Sequence, residues 1–355
     1  PIIYYIDPAT PSKWIPYLMQ GVDDWEPVFR AAGFKNAIMA KLAPTKEQDS
    51  TWSLEDARYS AIVYKPSSIP NASGPHISDP RTGEILESHV NWYHNVMSLL
   101  HHWYFIQCSA VDTAARKMIF DDSLMGQLIR FVSSHEIGHT LGMQHNFAAS
   151  SAYPVDKLRD KDFVQHYGHT SSIMDYCRFN YVAQPEDSIP QQYLFPRIGK
   201  YDYWCIEWGY RLFPEIENPR DELQLLSDWI IEKTKDRYLW FGSGYTGMDP
   251  RSQSEDLGDN QMVANSYGIK NLKRIVQNLD SWTAQPNRDY TNLRKMYNEV
   301  IDQYLRYAGH VMMYIGGVYQ TPKTVEQEGL VYEYVEKEKQ QAAMKFLVDN
   351  YIDIP

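Results

Sequence analysis

Residues 135–145 read His-Glu-Ile-Gly-His-Thr-Leu-Gly-Met-Gln-His, and this stretch carries the strongest indication of fold and function in the chain. His135 and His139 are four residues apart, so a helix places both imidazoles on one face, about one turn apart. Two neutral imidazoles at that spacing can bind one Zn²⁺ ion. Glu136 follows the first histidine, and its carboxylate can reach a water on the metal without being a ligand. The stretch therefore predicts a zinc-binding helix that carries its own general base.

Gly142 and His145 complete the predicted site. A helix that continued past His139 would carry the chain away from the metal, whereas glycine adopts positive φ at no steric cost and turns the backbone. His145 can then return as the third ligand. Three protein ligands leave a fourth position for water, which is typical of catalytic rather than structural zinc. The alternative is a histidine-rich helix end with core or surface imidazoles, and it leaves Glu136 and Gly142 without a role.

The pattern of residues 135–145 resembles the signature of the metzincin clan of zinc peptidases. That clan also has a methionine turn after the zinc helix, and residues 171–176, Ser-Ser-Ile-Met-Asp-Tyr, are similar to it. The resemblance implies that Met174 forms a hydrophobic floor beneath the histidines. It also implies that Tyr176 is a fifth metal ligand or an oxyanion stabiliser, with a packed core tyrosine as the alternative.

More narrowly, the chain resembles large bacterial secreted zinc-dependent metallopeptidases. Asn146 follows the third histidine, and it is not the residue associated with astacins, serralysins, adamalysins or matrixins. The subfamily is therefore left open by the sequence.

The hydrophobic pattern predicts an α+β fold. The resemblance implies that residues 1–213 form a metzincin-like catalytic domain with a mixed twisted sheet plus helices, and the helical periodicity predicts that residues 214–355 form a mainly α-helical C-terminal domain or extension. Strands are predicted at residues 2–6, 35–42, 59–64, 74–78 and 84–90. Helices are predicted at residues 11–33, at 92–110, from 121 into the histidine motif, at 201–210, from 218, within 257–279, and at 290–315 and 325–350.

Composition and charge narrow the partners. The 355 residues are 43% hydrophobic and 14% aromatic, which is typical of a globular chain. The formal net charge is −11 and there is no long basic run, so nucleic acid is not expected as a partner. No run of 18 apolar residues occurs, so no transmembrane segment is expected.

The start of the chain and its cysteines bear on localisation. The sequence begins at Pro1 rather than Met, which indicates a fragment lacking its signal sequence. We expect an exported protein that is extracellular, periplasmic or at the cell surface. The three cysteines, Cys108, Cys177 and Cys205, fit neither a disulfide framework nor a metal site. Buried or semi-buried thiols are favoured, and one disulfide is left open in an exported protein.

These features predict a zinc-dependent endopeptidase that hydrolyses peptide bonds through a zinc-activated water, with Glu136 as general base and one catalytic Zn²⁺. The resemblance implies a peptide or protein substrate bound as an extended strand along a sheet edge, for which residues 74–78 are the candidate. Two alternatives stay open: a zinc-containing binding or scaffold protein that does not cut, and a zinc exopeptidase or amidase. The sequence does not predict the oligomeric state.

Overall fold

The computed structural model of the protein describes residues 1–244 and 247–352, and these form a mixed α and β structure. The strands are β1 Ile2–Ile6, β2 Ile38–Leu42, β3 Ser60–Lys65, β4 Ala72–Ser73, β5 His76–Ser78, β6 Ile85–Tyr93, β7 Val318–Gln320 and β8 Tyr332–Tyr334. The helices are α1 Ile15–Asp23, α2 Glu26–Ala31, α3 Val96–Cys108, α4 Asp122–Thr140, α5 Lys161–Tyr167, α6 Lys200–Tyr210, α7 Pro219–Lys233, α8 Gln261–Val276, α9 Leu279–Thr283, α10 Thr291–Met312 and α11 Lys337–Leu347. The predicted fold class, a mixed sheet with helices followed by a mainly helical part, is confirmed. No helix in the described ranges is long and apolar enough to cross a membrane.

Two predicted helices are wrong in part. The single helix predicted at residues 11–33 is two helices, because Pro27 lies in the first turn of α2, where its missing N–H costs nothing. The helix predicted at residues 325–350 is confirmed only for α11. Its first part contains β8, which pairs with β7, and the aromatic and β-branched residues around Tyr332 and Tyr334 favour a strand.

The described chain divides into two compact units. Each unit is made of three separate segments, so the division is not a single cut near residue 213. The first unit contains residues 1–103, 119–144 and 202–211. The second contains residues 104–118, 145–201 and the chain from residue 212 onward. The functional division into a peptidase domain and a C-terminal part stays a prediction.

The first unit is built on one sheet, ordered β2-β1-β3-β6-β4, with β5 also paired to β6. Strands β1, β2, β3 and β6 run parallel, whereas β4 and β5 run antiparallel to β6. The segment of β4 and β5 therefore forms an antiparallel edge on an otherwise parallel sheet.

Helix α4 carries the histidine motif and is held closely by α1. A Cβ on Gly21 of α1 would lie 2.4 Å from the Cβ of Ser133, so the two helices approach at a distance that only glycine permits. After α1, the buried indole of Trp25 donates a 2.9 Å hydrogen bond to the carbonyl oxygen of Ser134. Both contacts lie one or two residues before His135, so they fix the start of the motif.

In the second unit, α8 packs against α9, α10 and α11 and anchors the chain that follows the methionine turn. The side-chain amide of Asn271 donates to the carbonyl oxygens of Tyr181 and Ala183 at 3.0 and 2.9 Å. The Tyr181 hydroxyl donates to Asn265 at 2.8 Å. These groups are buried, so the hydrogen bonds fix the segment that follows the turn.

Candidate metal centre

The zinc helix ends at Gly142 in a Schellman motif. Gly142 has φ 91°. Its N–H donates to the carbonyl of His139 at 3.0 Å, and the N–H of Met143 donates to the carbonyl of Gly138 at 3.1 Å. These are the two hydrogen bonds of that motif, and they turn the chain away from the helix axis just before His145.

Replacing Gly142 with alanine is expected to reduce both stability and zinc affinity. A Cβ there has space, since its nearest neighbour would be the Ile85 Cδ1 at 3.9 Å, but positive φ costs a non-glycine residue about 1–2 kcal/mol. Gly33 is the matched control, with φ 99° and no atom within 4 Å of its added Cβ. Thermal unfolding and chelator competition should show a similar stability loss for both variants, but a weaker zinc site only for Gly142→Ala. Equal zinc affinity in the two variants would contradict a role for Gly142 in placing His145.

The three histidines of the motif come together. One ring nitrogen from each of His135, His139 and His145 can be chosen so that all three lie within 4.8 Å of one another. His135 is buried and the other two are partly exposed. Three imidazole nitrogens are a donor set that suits Zn²⁺, and as three ligands they leave a coordination position for a further group. The residues present therefore fit a catalytic zinc ion.

A hydrogen bond from its ring orients His139 for metal binding. Its Nδ1 lies 2.9 Å from the carbonyl oxygen of Met143, and because a carbonyl can only accept, Nδ1 carries the proton. The lone pair is then on Nε2, the arrangement in which a backbone carbonyl orients a metal-binding imidazole. Burial lowers the pKa of His139, which keeps the ring neutral.

Glu136 is buried beside the first histidine, with 7% of its surface exposed. Burial raises the pKa of its carboxyl group to about 8, and a hydrogen bond from the backbone N–H of Gly74 opposes that shift. A divalent cation at the histidines would favour the ionised form. Gly74 lies so close that a Cβ on it would be 2.2 Å from the Glu136 carbonyl oxygen. Sequence reasoning did not find this role of Gly74.

The C-terminal end of the zinc helix has two tyrosine contacts that the sequence did not reveal either. The Tyr4 hydroxyl of β1 donates to the hydroxyl of Thr140 at 2.6 Å, and Thr140 donates to the carbonyl of Ile137 at 2.6 Å. The Tyr210 hydroxyl of α6 donates to the carbonyl of Leu141 at 3.0 Å. A tyrosine–threonine pair separated by 136 residues has no local sequence signal.

The methionine turn is hydrogen-bonded to the residue after the third histidine. Met174 is fully buried, and its carbonyl accepts the N–H of Asn146 at 3.1 Å. The Asn146 side chain donates to the carbonyl of Trp240 at 2.8 Å and accepts the N–H of Gly242 at 3.0 Å. Asn146, the departure from the better-known metzincin patterns, is thus a buried amide that joins three segments of its unit.

Tyr176 lies against the third histidine. Its ring centroid is 4.2 Å from that of His145, and both rings contact Phe147 at 5.5 and 5.3 Å. The tyrosine is half-buried, so it is neither a fully enclosed core residue nor a surface residue.

The zinc-binding helix, the glycine turn and the methionine turn together define a zinc metallopeptidase centre of the metzincin kind. A family model described as Met-zincin matches residues 117–355, about two thirds of the chain, and the chain belongs to that family. Comparison with curated proteins and with solved structures gave no significant match. The family match begins before the zinc helix and runs through the C-terminal helices, so it includes both the motif and the part of the chain that the sequence left without an assignment.

Proposed function

We propose that the protein is a zinc-dependent endopeptidase in which His135, His139 and His145 hold the metal and Glu136 is the general base. The observation that carries the proposal is the convergence of three imidazole nitrogens within 4.8 Å, next in sequence to a buried carboxylate. A non-cutting zinc protein would not need that carboxylate, because burying a charge is costly when it has no task.

The chemistry follows from the side chains. His135, His139 and His145 would hold the zinc ion, which would supply a Lewis acid for the scissile carbonyl and for the attacking water. Glu136 takes the proton of the attacking water and delivers it to the leaving amine. Gly74 holds the Glu136 carboxylate through its N–H. Tyr176 would donate a hydrogen bond to the developing oxyanion or serve as a further metal ligand, and the resemblance assigns Met174 the role of the apolar floor beneath the histidines.

We propose that the substrate binds as an extended strand along β5. This strand pairs with β6 and has no other strand partner in residues 1–244 and 247–352. Its side chains are exposed, and the Nδ1 of His76 donates to the carbonyl of His139 at 3.1 Å, so the edge is fastened to the zinc helix. An exposed edge recognises peptides through main-chain hydrogen bonds and is tolerant of side chains.

Residues 1–213 remain our proposed peptidase domain, and we propose that residues 214–355 are an extension of it rather than an independent domain. The Gly242 and Trp240 contacts to Asn146 support this, since they fasten the extension to the residue after a zinc ligand.

Cys108 and Cys177 are buried thiols. Export stays a prediction from the sequence.

Metal removal tests the proposed function. The purified chain should contain one equivalent of zinc and should cleave casein. Dialysis against a chelator should abolish cleavage, and one equivalent of added zinc should restore it. Mass spectrometry of digested peptide mixtures should show internal cuts. Chelator-insensitive background would overturn the enzyme assignment, and trimming confined to chain ends would favour an exopeptidase.

A further inference from the structure

Arg178 lies over the ring of Tyr176. The carbon of its guanidinium group is 4.3 Å from the ring centroid, within the range of a cation–π interaction. Only 11% of the Arg178 side chain is exposed, so this contact is largely shielded from water. The ring thus contacts a guanidinium as well as the His145 imidazole at 4.2 Å.

Glu255 contacts both Arg178, which lies over the Tyr176 ring, and the backbone of Tyr176. Its Oε1 is 3.6 Å from the Arg178 Nη2 and 2.9 Å from the Nη1 of Arg306 on α10. Its backbone N–H donates to the carbonyl of Tyr176 at 2.9 Å. One residue of the proposed extension therefore contacts Tyr176 directly and also through Arg178.

Both residues of the ion pair between Arg178 and Glu255 have positive φ. Arg178 has φ 59° and Glu255 has φ 65°, values that side chains other than glycine and asparagine rarely adopt. Such conformations persist where the surroundings determine them, and they concentrate at functional sites. The two residues meet around Tyr176, and in this conformation each side chain reaches the other.

We propose that Arg178 is a positioning residue that holds the Tyr176 phenol beside the third zinc histidine, and that Glu255 and Arg306 hold Arg178 in turn. This inference rests on the role given to Tyr176 in the proposed function. It gives the C-terminal helical part a task in the chemistry, because α10 supplies the second cation on Glu255. A planar guanidinium suits the task better than an ammonium, since it can lie flat on the ring while it pairs with a carboxylate.

The same local arrangement occurs elsewhere in the same unit and provides a control. The guanidinium carbon of Arg159 is 4.4 Å from the Tyr267 ring centroid, and its Nη2 pairs with Asp187 at 2.6 Å. The side chain of Arg159 is 24% exposed. Removing Arg159 takes away a comparable set of contacts from a tyrosine that has no proposed part in the reaction.

The test compares the zinc-loaded variants Arg178→Met, Arg178→Lys and Arg159→Met. Loss of a transition-state hydrogen-bond donor costs roughly 10²–10³-fold in kcat, so a donor that is misplaced rather than removed should cost about tenfold in Arg178→Met. KM should change little, because ground-state binding is left in place. Arg178→Lys should recover part of kcat, and Arg159→Met should keep the wild-type kcat.

A double-mutant cycle separates positioning from simple destabilisation. If Arg178 acts through Tyr176, then Arg178→Met should have no further effect on kcat in a Tyr176→Phe background. Additive losses, or an equal fall of kcat in Arg159→Met, would overturn the proposal.

A spectroscopic measurement keeps the inference testable without peptidase activity. If Tyr176 is a metal ligand, the Cu²⁺-loaded protein should show a phenolate charge-transfer absorption that Tyr176→Phe removes. If the wild type cuts no peptide, the proposed function fails and this spectrum alone decides the positioning role. A Tyr176-dependent band that is lost in Arg178→Met but kept in Arg159→Met supports the role. A band that is equal in all three overturns it, whereas a wild type without the band shows that Tyr176 is not a metal ligand, and the double-mutant cycle on kcat then decides the role.

Discussion

Glu136→Gln is expected to lower kcat of the zinc-loaded protein by about 10²–10⁴-fold, the usual contribution of a general acid–base residue. The amide has the shape of the carboxylate and still offers an oxygen to the Gly74 N–H, but it cannot accept a proton. The three histidines are untouched, so zinc content should remain one per chain. Removing the buried charge should leave stability unchanged or raise it, because burial disfavours the ionised form. Casein cleavage, metal analysis and thermal unfolding measure the three quantities.

Glu207→Gln is the control for the same chemical change. Glu207 lies on α6 and pairs with Arg211 at 2.8 Å, and 29% of its side chain is exposed. Its replacement should leave kcat at the wild-type value, since surface ion pairs contribute little. A zinc-loaded Glu136→Gln variant that cuts casein at the wild-type rate would exclude Glu136 as the base. Loss of zinc from that variant would instead show that the carboxylate supports the metal.

The candidate site could be predicted from the sequence where its geometry is local. The spacing of His135 and His139 follows from the helical repeat, and a glycine three residues later indicates the turn that the chain needs. The structure brings both histidines and His145 together, as that spacing implies. Tyr176 is two residues from Met174, and its place beside His145 follows from a resemblance rather than from a pattern within this chain.

Contacts that join distant parts of the chain could not be predicted. Gly74 touches Glu136, and Glu255 bonds to Tyr176, across separations that leave no periodic signal. A glycine after a Ser and before a Pro is typical of a loop, and nothing local shows that a helix backbone lies against it. Asn146 could be recognised only as a departure from known patterns, whereas its three hydrogen bonds needed the fold.

Secondary structure shows the same limit. The apolar run of β1 predicts a buried strand, because strands in parallel sheets are apolar on both faces. The three residues of β8 are too few to establish a strand period within a segment that was predicted as an amphipathic helix, although their residue types favour a strand, and pairing with β7 makes them one. Short segments of this kind take their structure from tertiary partners rather than from intrinsic preference.

Gly74→Ala is expected to damage both the edge strand and the base. The added Cβ would lie 2.2 Å from the Glu136 carbonyl oxygen and 3.0 Å from its carbonyl carbon, and backbone atoms in a packed helix cannot move aside cheaply. The segment joining β4 to β5 must therefore shift away from the zinc helix. Overpacking of this kind costs about 1–3 kcal/mol. The shift also weakens the N–H that Gly74 donates to the Glu136 carboxylate.

The loss of activity should be larger than the loss of stability accounts for. The same displacement moves β5, the proposed substrate-binding edge, and frees the Glu136 carboxylate from its hydrogen bond. A misplacement of about 1 Å at a reacting group can cost roughly 10²-fold in rate. Gly209→Ala is the matched control: Gly209 lies in α6, no atom lies within 4 Å of its added Cβ, and alanine favours a helix. The midpoint temperature of thermal unfolding and kcat/KM on a peptide substrate should therefore both fall in Gly74→Ala. In Gly209→Ala both should stay at or above the wild-type values. A Gly74→Ala protein with lower stability but wild-type kcat/KM would show that the edge and the Glu136 carboxylate are positioned independently of this contact.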